Sequence, residues 1–469
     1  METFIGLEIH VQLATRTKLF CPCRADYFQA PPNTLTCPVC LGMPGALPVP
    51  NRQAVEYALR VALALGAKVQ EKSAFDRKNY FYPDLPKGYQ ITQRATPLAV
   101  GGSLGFRVDG EKRRVRIREL HIEEDAGKLI HTPDGALVDM NRCGVPLVEI
   151  VTEPDLRSPK EAREFLRVLR TLLRHLFVSN ADMEKGELRC DANLSLSQDG
   201  RLGTKVEVKN LNSFRGVERA LARAAELQAQ LLANGQRVVQ ATYGWDEGRG
   251  ELVLQREKEE AHDYRYFPEP DLVALEISQG LLKQVEQGMP ELPWVREERF
   301  VSQYGLSPGE AAVLLSEPAL ADYFEQVAAE VGDGREAASW VLSELLRFWG
   351  GAGPPVGAGE LAQLIRLVAD RKISRTNAKG LLEEAIATER PLAEVLAAKK
   401  GELAQLSDEE ELRRLAREAI AAHPQAAADF RAGKAQALGF LVGQVMRATG
   451  GRADARKLSN ILQELLSNP

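Results

Sequence analysis

Short acids, amides and one histidine recur in this sequence at a spacing of two, and that pattern could hold a metal ion together with a nucleotide. In Leu7–Leu13 the even positions are Glu8, His10 and Gln12. In Glu187–Leu196 the odd positions are Glu187, Arg189, Asp191, Asn193 and Ser195, and Glu207 stands between Lys205 and Lys209. A further acidic run reads His121-Ile122-Glu123-Glu124-Asp125. Carboxylates gathered on one surface repel, which raises the cost of charging each. A divalent cation relieves that cost. Mg²⁺ needs one or two protein carboxylates and takes water and phosphate oxygens for the rest. The competing reading is a set of solvated strand faces. Against it, these positions lack the long Lys/Glu mixture of a wet face, and the pattern recurs on several segments.

The cysteines suggest a second metal. Cys21-x-Cys23 and Cys37-Pro38-Val39-Cys40 form two close pairs, which suits tetrahedral Zn²⁺. The second pair resembles a zinc knuckle, while the first has one intervening residue where two is usual. Four thiolates fill the shell, so the zinc would be structural and worth on the order of 10 kcal/mol to the local fold. The alternative is a metal-free thiol cluster held by packing. Cys190 falls on the apolar side of its segment and reads as core. Other phosphate-binding and catalytic signatures are missing: no G-x-x-x-x-G-K-[ST], no G-x-G-x-x-G, no kinase set and no G-x-S-x-G. The basic run Lys112–Arg118 is either a charge-protected edge strand or a phosphate-backbone contact. The segments 76–90 and 262–271 are dense in Tyr, Lys or Arg, and Pro. They either pave a polar channel or pack as ordinary loops.

These residues need elements to place them. Leu7, Ile9, Val11 and Leu13 alternate with the polar set, as do Leu188, Cys190, Ala192, Leu194 and Leu196, and Val206 and Val208. Each segment is therefore a strand with one dry and one polar face. Asp199-Gly200 links the segments 187–196 and 204–211 as a hairpin, so the sheet is expected to be antiparallel with one face on a core. Ser158-Pro159-Lys160-Glu161 is a capping box that opens a helix with an apolar stripe of Phe165, Leu166, Leu169, Leu172, Leu173 and Leu176. A second helix runs from Gly216 to Asn234 and ends at Gly235. Beyond Pro293 the chain reads as helices. The stretch 350–359 is expected to be neither helix nor strand, and a further break lies near Lys399-Lys400-Gly401. Gly439 and Gly443 are expected to allow close helix packing.

The chain has 469 residues, too many for one core, and length alone suggests about three domains. Hydrophobic residues are 44% and charged residues 27%, which excludes long disorder and a disulfide scaffold. The formal charge of −5 means that any nucleic-acid binding must use local patches. No signal peptide or membrane span is visible, and the clustered cysteines suit a cytoplasmic protein.

Several motifs together resemble a known family. They are Gly6-Leu7-Glu8-Ile9-His10-Val11-Gln12-Leu13, Asp139-Met140-Asn141-Arg142-Cys143-Gly144-Val145-Pro146-Leu147-Val148-Glu149-Ile150 and Arg189-Cys190-Asp191-Ala192-Asn193, followed by Val206-Glu207-Val208-Lys209-Asn210-Leu211-Asn212-Ser213-Phe214 and Asp263-Tyr264-Arg265-Tyr266-Phe267-Pro268-Glu269-Pro270. The chain resembles, over its whole length, the B subunits of tRNA-dependent amidotransferases (the GatB/GatE family), which act on mischarged Glu-tRNA(Gln) or Asp-tRNA(Asn). The resemblance implies an α+β fold. An antiparallel-sheet cradle related to glutamine synthetase would span 1–293, with the zinc knuckle inserted at about 20–41. An all-α domain (294–404) and a small all-α tail domain (405–469) would follow. It also implies a glutamine-hydrolysing ligase with ATP and Mg²⁺. A partner amidase, the A subunit of such complexes, would supply ammonia, and the small C subunit would complete the assembly. Mischarged tRNA and the non-discriminating aminoacyl-tRNA synthetase are the further partners.

On that resemblance, Glu8, His10, Glu124, Asp191 and Glu207 form the metal and nucleotide shell, with Lys209 on the nucleotide and Glu123 and Asn193 in support. Histidine is an unusual Mg²⁺ ligand, so a second metal or a phosphate is the alternative for His10. Lys78 and Lys87 line an ammonia route or bind phosphate. Arg447, Arg452, Arg456 and Lys457 contact tRNA phosphates, against a reading as solvated helix ends. Two other functions compete: a free-standing ligase of the glutamine synthetase type, and a zinc-bearing tRNA-binding protein without an active site.

Overall fold

The alternation at the start of the chain builds the centre of the fold. Leu7, Ile9 and Val11 are buried to 1% exposure or less, while Glu8 and His10 between them are half-buried on the opposite face. The computed structural model describes residues 1–257, 264–350, 353–399 and 408–467. In it, strand Glu2–Gln12 runs antiparallel to Pro146–Thr152 on one side and to Leu188–Ser197 on the other. The ten-stranded sheet continues outward from Leu188–Ser197 through Val206–Leu211, Ala241–Asp246 and Glu251–Glu257. On the other side it continues from Pro146–Thr152 through Glu111–Glu124, which also pairs with Ser103–Val108, to the short strands Ala99–Val100 and Lys68–Val69.

One pairing departs from the expected antiparallel sheet. Val206–Leu211 and Ala241–Asp246 are parallel. Their connection carries the 20-residue helix Phe214–Ala233, a crossover long enough to allow parallel neighbours. Every other pairing among the described residues of this sheet is antiparallel.

The dry face packs into one core with helices Arg52–Ala64, Pro159–His175 and Phe214–Ala233. The stripe Phe165, Leu166, Leu169, Leu172, Leu173 and Leu176 is fully buried. Each such side chain is worth about 1.5–3 kcal/mol over leaving it in water. Ser158 caps the helix by accepting from the Glu161 N–H at 3.1 Å, with Pro159 in the first turn. The Glu161 carboxylate reaches one residue further than a capping box would, to the Arg157 N–H at 2.7 Å, and also accepts from Arg113. A separate three-stranded sheet pairs Asp76–Asn79 with Tyr89–Thr92 and Phe267–Pro268, so the two aromatic, cation-rich segments meet. His262 and Asp263 lie outside the described residues.

The run Lys112–Arg118 is part of the paired strand Glu111–Glu124, and three of its five cations have carboxylate partners. Arg116 makes a fork with Asp155 at 2.7 and 2.9 Å, Arg113 meets Glu111 and Glu161, and Arg118 meets Glu153. Lys112 and Arg114 are exposed.

The chain divides into two compact units, Met1–Pro293 and Trp294–Pro469. The second is helical and holds two apolar clusters, one around Phe300, Phe324 and Trp340, the other around Leu412, Leu441, Leu458 and Leu462. Helix Leu392–Lys399 runs to the edge of the described residues, and the break expected near 399–401 and the boundary expected at 404 fall at or beyond it. In the glycine-rich stretch 350–359, Ala358 and Gly359 belong to helix Ala358–Ala369, because the Glu360 side chain accepts the Gly357 N–H at 3.2 Å and fixes the helix start. Gly439 and Gly443 pack against nothing: a Cβ at either would meet open space among the described residues. No helix among the described residues is long and apolar enough to cross a membrane.

Candidate active site and metal centre

Strand register places four polar side chains in a row across the wet face of the sheet. His10 faces Glu149 on one neighbour and Arg189 on the other, and Glu149 in turn faces His121. Glu123 lies two residues beyond His121 and so points the same way. His10 Nε2 is 3.3 Å from Glu123 Oε1 and 3.7 Å from Glu149 Oε2, and His121 Nε2 is 2.5 Å from Glu149 Oε2. Burial works against the Glu149 charge, but His121 and His10 outweigh it and hold the carboxyl well below its usual range. The same contacts act in reverse on His121. Burial would lower its pKa, yet Glu149 and Glu123 push it up to about 10, so at neutral pH it is an imidazolium.

The ligand atoms of His10, Glu123 and Glu149 lie within 4.8 Å of one another. One imidazole and two carboxylates at that spread fit one side of an octahedral cation, whose adjacent ligands are roughly 3 Å apart at Mg–O lengths of about 2.0–2.1 Å. Lys78 completes this group. Its Nζ is 5.0 Å from the centre of the Tyr264 ring and 5.9 Å from that of Tyr80. Burial opposes its charge, and Glu123 with Glu149 more than offsets that.

Beside this group, Glu8, Asp191, Asn193, Glu207 and Lys209 form a second one on the same face. Asn193 Nδ2 donates to Glu8 Oε1 at 3.0 Å, Thr242 Oγ1 donates to Glu207 Oε2 at 2.8 Å, and Lys209 pairs with Asp191 and, at 3.1 Å, with Glu207. The Glu8 pKa is raised, first by burial and then by Glu149, Asp191 and Glu207, with Lys209 opposing. A carboxylate under that repulsion is poised to accept a cation.

Glu124 does not join either group. It follows Glu123 on one strand, so it points to the other face. There it accepts the Ile91 N–H at 2.9 Å and pairs with Lys87. That pair lines a cavity of about 200 Å³ together with Phe20, Cys21, Cys40 and Gly42. Glu124 and Lys87 therefore sit beside the cysteine cluster, and it is Glu149, not Glu124, that groups with His10 and Glu123. Glu149 and His121 carry no role in the sequence reading. The usable signal is that Glu149 is the one acid in the otherwise apolar Pro146–Val151, and a buried carboxylate needs a partner. Asp125 is likewise unassigned by sequence; it is buried, and it accepts from Arg189 at 2.8 Å and Gln12 at 2.9 Å.

The four cysteine sulfurs also lie within 4.8 Å of one another, and Cys37 and Cys40 Sγ are 3.9 Å apart. Zn–S bonds of about 2.3 Å in a tetrahedron put sulfurs roughly 3.8 Å apart, so the donor set fits zinc. Cys190 is core, 2% exposed. Cys143 is buried too, and its thiol donates to the Cys40 carbonyl at 3.2 Å, tying the knuckle to the sheet unit. In the helical unit Arg447, Arg452, Arg456 and Lys457 are all exposed.

Two family models match the chain. One is described as the GatB/GatE catalytic domain and matches residues 3–283, and the other as the GatB domain and matches 322–466. The B subunit of the aspartyl/glutamyl-tRNA(Asn/Gln) amidotransferase of Thermomicrobium roseum is 53% identical over 480 residues, which covers 100% of this chain and 99% of the relative. The proteins of the same name from Moorella thermoacetica and Thermotoga maritima are 49% and 47% identical, with at least 98% of each chain covered. The match takes in the sheet unit with both polar clusters and extends through the helical unit, and on that ground the chain belongs to the GatB/GatE family.

Proposed function

We propose that this chain is the activating component of a tRNA-dependent amidotransferase. It converts mischarged Glu-tRNA(Gln), Asp-tRNA(Asn) or both to the amide forms in the cytoplasm. It does so together with a glutaminase (the amidase, or A, component), the small C component and the non-discriminating synthetase. The observation that carries the reading is the pair of adjoining acidic clusters on one sheet face, in a chain of this family. A carboxylate does not react with ammonia at a useful rate, because it is anionic and its leaving group is poor. Attack of the side-chain carboxylate oxygen on the γ-phosphorus of ATP releases ADP and forms an acyl phosphate. Ammonia then adds at the acyl carbon, loses a proton, and inorganic phosphate departs as the amide forms.

The chain's contribution to such a transfer is positioning and charge. His10, Glu123 and Glu149 would hold one Mg²⁺, and Glu8, Asp191 and Glu207 would hold a second or the nucleotide's cation. When bound, Mg²⁺ neutralises charge on the phosphates. Lys78 and Lys209 are the cations at this face that meet phosphate oxygens. Lys87 and Glu124, at the cavity beside the knuckle, line the approach of ammonia. Asn193 and Thr242 fix the carboxylates of Glu8 and Glu207 by donating to them. The four cysteines would hold structural zinc. Arg447, Arg452, Arg456 and Lys457 would meet tRNA phosphates.

The test is ADP release by the co-purified complex with ammonium chloride, which bypasses the glutaminase. Free glutamate, correctly charged tRNA and mischarged tRNA are added in turn. Release with mischarged tRNA alone supports the proposal and identifies the substrate. Release with free glutamate would make the chain a small-molecule ligase, and no release under any condition would make it a binding protein without catalytic function.

A further inference from the structure

We propose that Lys18 is the counter-cation of the cysteine cluster, its ammonium offsetting part of the negative charge that four thiolates leave around a zinc ion. The inference rests on the zinc reading above and adds to it a residue that is not a ligand.

Lys18 is fully buried, at 0% exposure. Its Nζ donates to the Leu35 carbonyl at 2.7 Å and points at Cys40 Sγ from 3.7 Å. Among the described residues no carboxylate lies within ion-pairing distance of it. An ammonium carries three donors, and one carbonyl dipole does not balance its charge in a dry interior, where an uncompensated ion is costly. The nearest negative charge available is the cluster. Zn²⁺ with four thiolates carries a net charge of −2, and one adjoining ammonium halves it. Gly144, at φ +84°, lies alongside this contact: a Cβ there would sit in ordinary contact with both Lys18 Cδ and Cys40 Cβ, 3.5 Å from each. Leu35, which receives the ammonium, is fixed in turn by the buried Asn141, whose Oδ1 accepts the Leu35 N–H at 2.8 Å. Lys18 is thus a positioning and charge-balancing residue, and Cys40 is the ligand it acts through.

The test uses the full-length chain, wild type and Lys18→Met. Zinc content is measured by elemental analysis and zinc affinity by competition with a chelator. Thermal unfolding is followed in the zinc-loaded form and in the reduced, metal-free form. The expected result is one zinc in the wild type and an affinity lowered about 10- to 100-fold in Lys18→Met, the usual size of an outer-sphere loss. The Co²⁺ derivative of Lys18→Met keeps the charge-transfer bands of a four-thiolate site, showing the ligands intact. Its Tm drops further in the loaded form, where four thiolates surround the metal, than in the metal-free form. An unchanged affinity, or equal Tm losses in both forms, overturns the proposal and makes Lys18 a packing residue. A wild-type chain that binds neither metal overturns the zinc reading as well. If Lys18→Met does not fold, Lys18→Gln, which keeps a donor for Leu35 and removes the charge, serves the same comparison.

Discussion

Replacing Glu149 by glutamine removes one negative charge from the middle of the cross-strand row and leaves shape almost unchanged. His121 then loses its 2.5 Å partner and keeps only Glu123, at 3.8 Å. Breaking a buried charge pair typically costs about 3–5 kcal/mol. Here the cost has a ceiling, because His121 can give up its proton instead of remaining an unpaired cation. With its pKa near 10 in the native chain and about 1.36 kcal/mol per unit, the loss at pH 7 is roughly 3–4 kcal/mol. The pH dependence has a definite sign. The folded-state pKa is raised above the ordinary 6.5, so the stabilisation is complete below about pH 6.5 and disappears as pH climbs towards 10. The gap between wild type and Glu149→Gln should therefore narrow to roughly 1 kcal/mol near pH 9. Urea unfolding in magnesium-free buffer at pH 6, 7 and 9 measures it. Hydrogen exchange of strand Glu2–Gln12 reports the sheet unit alone. A gap under about 1 kcal/mol at pH 7, or one constant across the series, would refute the coupling. In the assembled complex the same variant should lose ADP release with ammonium and mischarged tRNA by no less than the roughly 10- to 100-fold that loss of an outer-shell partner costs.

Three further outcomes follow from the same geometry. Asp191→Ala frees Lys209 from its closest carboxylate and should abolish ADP release while leaving assembly with the partner proteins intact; amide formation at the wild-type rate would remove Asp191 from the site. Changing Arg447, Arg452, Arg456 and Lys457 together to glutamine should weaken tRNA binding and flatten its salt dependence by roughly 0.7–0.9 in log–log slope per lost phosphate contact, and an unchanged slope in filter binding would make them solvated helix ends. In the helical unit, the Glu344 carboxylate accepts from Lys379 at 2.6 Å. Burial raises its pKa, but the Lys379 and Ser343 hydrogen bonds outweigh that and hold it below 4.5. Its contribution, about 1–3 kcal/mol, is present above that pH and lost as pH falls through the depressed value, so Glu344→Gln should be destabilised at pH 7 and converge on wild type in acid. Parallel acid-unfolding curves would contradict this.

Where a residue's place depends on its immediate neighbours, the sequence could be read directly. The period of two in Leu7–Leu13 and Leu188–Leu196 assigned each side chain to a face, and the structure keeps every one of those apolar positions buried. Hence Glu8, Asp191, Asn193 and Glu207 come together as the alternation implied. The errors arise where two strands had to be registered. Nothing local tells that Glu149 lies opposite His10 and His121, because the pairing with His10 spans more than a hundred residues of chain. The place given to Glu124 beside the supporting Glu123 is a different slip, since alternation alone puts the two on opposite faces. The parallel pair was hidden for another reason. A helix between two strands permits either direction, and the deciding geometry is where the second strand finds an unpaired edge. The helical unit was legible as helices, but the surroundings of Gly439 and Gly443 depend on packing that composition does not encode.

The place of Glu2–Gln12 in the middle of the sheet has a consequence for how the protein is made. Its partners run to Ser197, so Glu8 cannot meet Asp191 until almost two hundred residues have been synthesised. At about 5–20 residues per second, that is a wait of roughly 10–40 s. Throughout it, Leu7, Ile9, Val11 and Leu13 are on a chain with no complete sheet to join, an apolar strand of the kind that chaperones bind and that aggregates when they are scarce. Termination before the second of these partners leaves His10, Glu123 and Glu149 on the chain but removes Asp191 and Glu207, so the second acidic cluster is never built. The polar face is thus assembled in two stages, the cluster of His10, Glu123 and Glu149 first and that of Glu8, Asp191 and Glu207 only with the later strands.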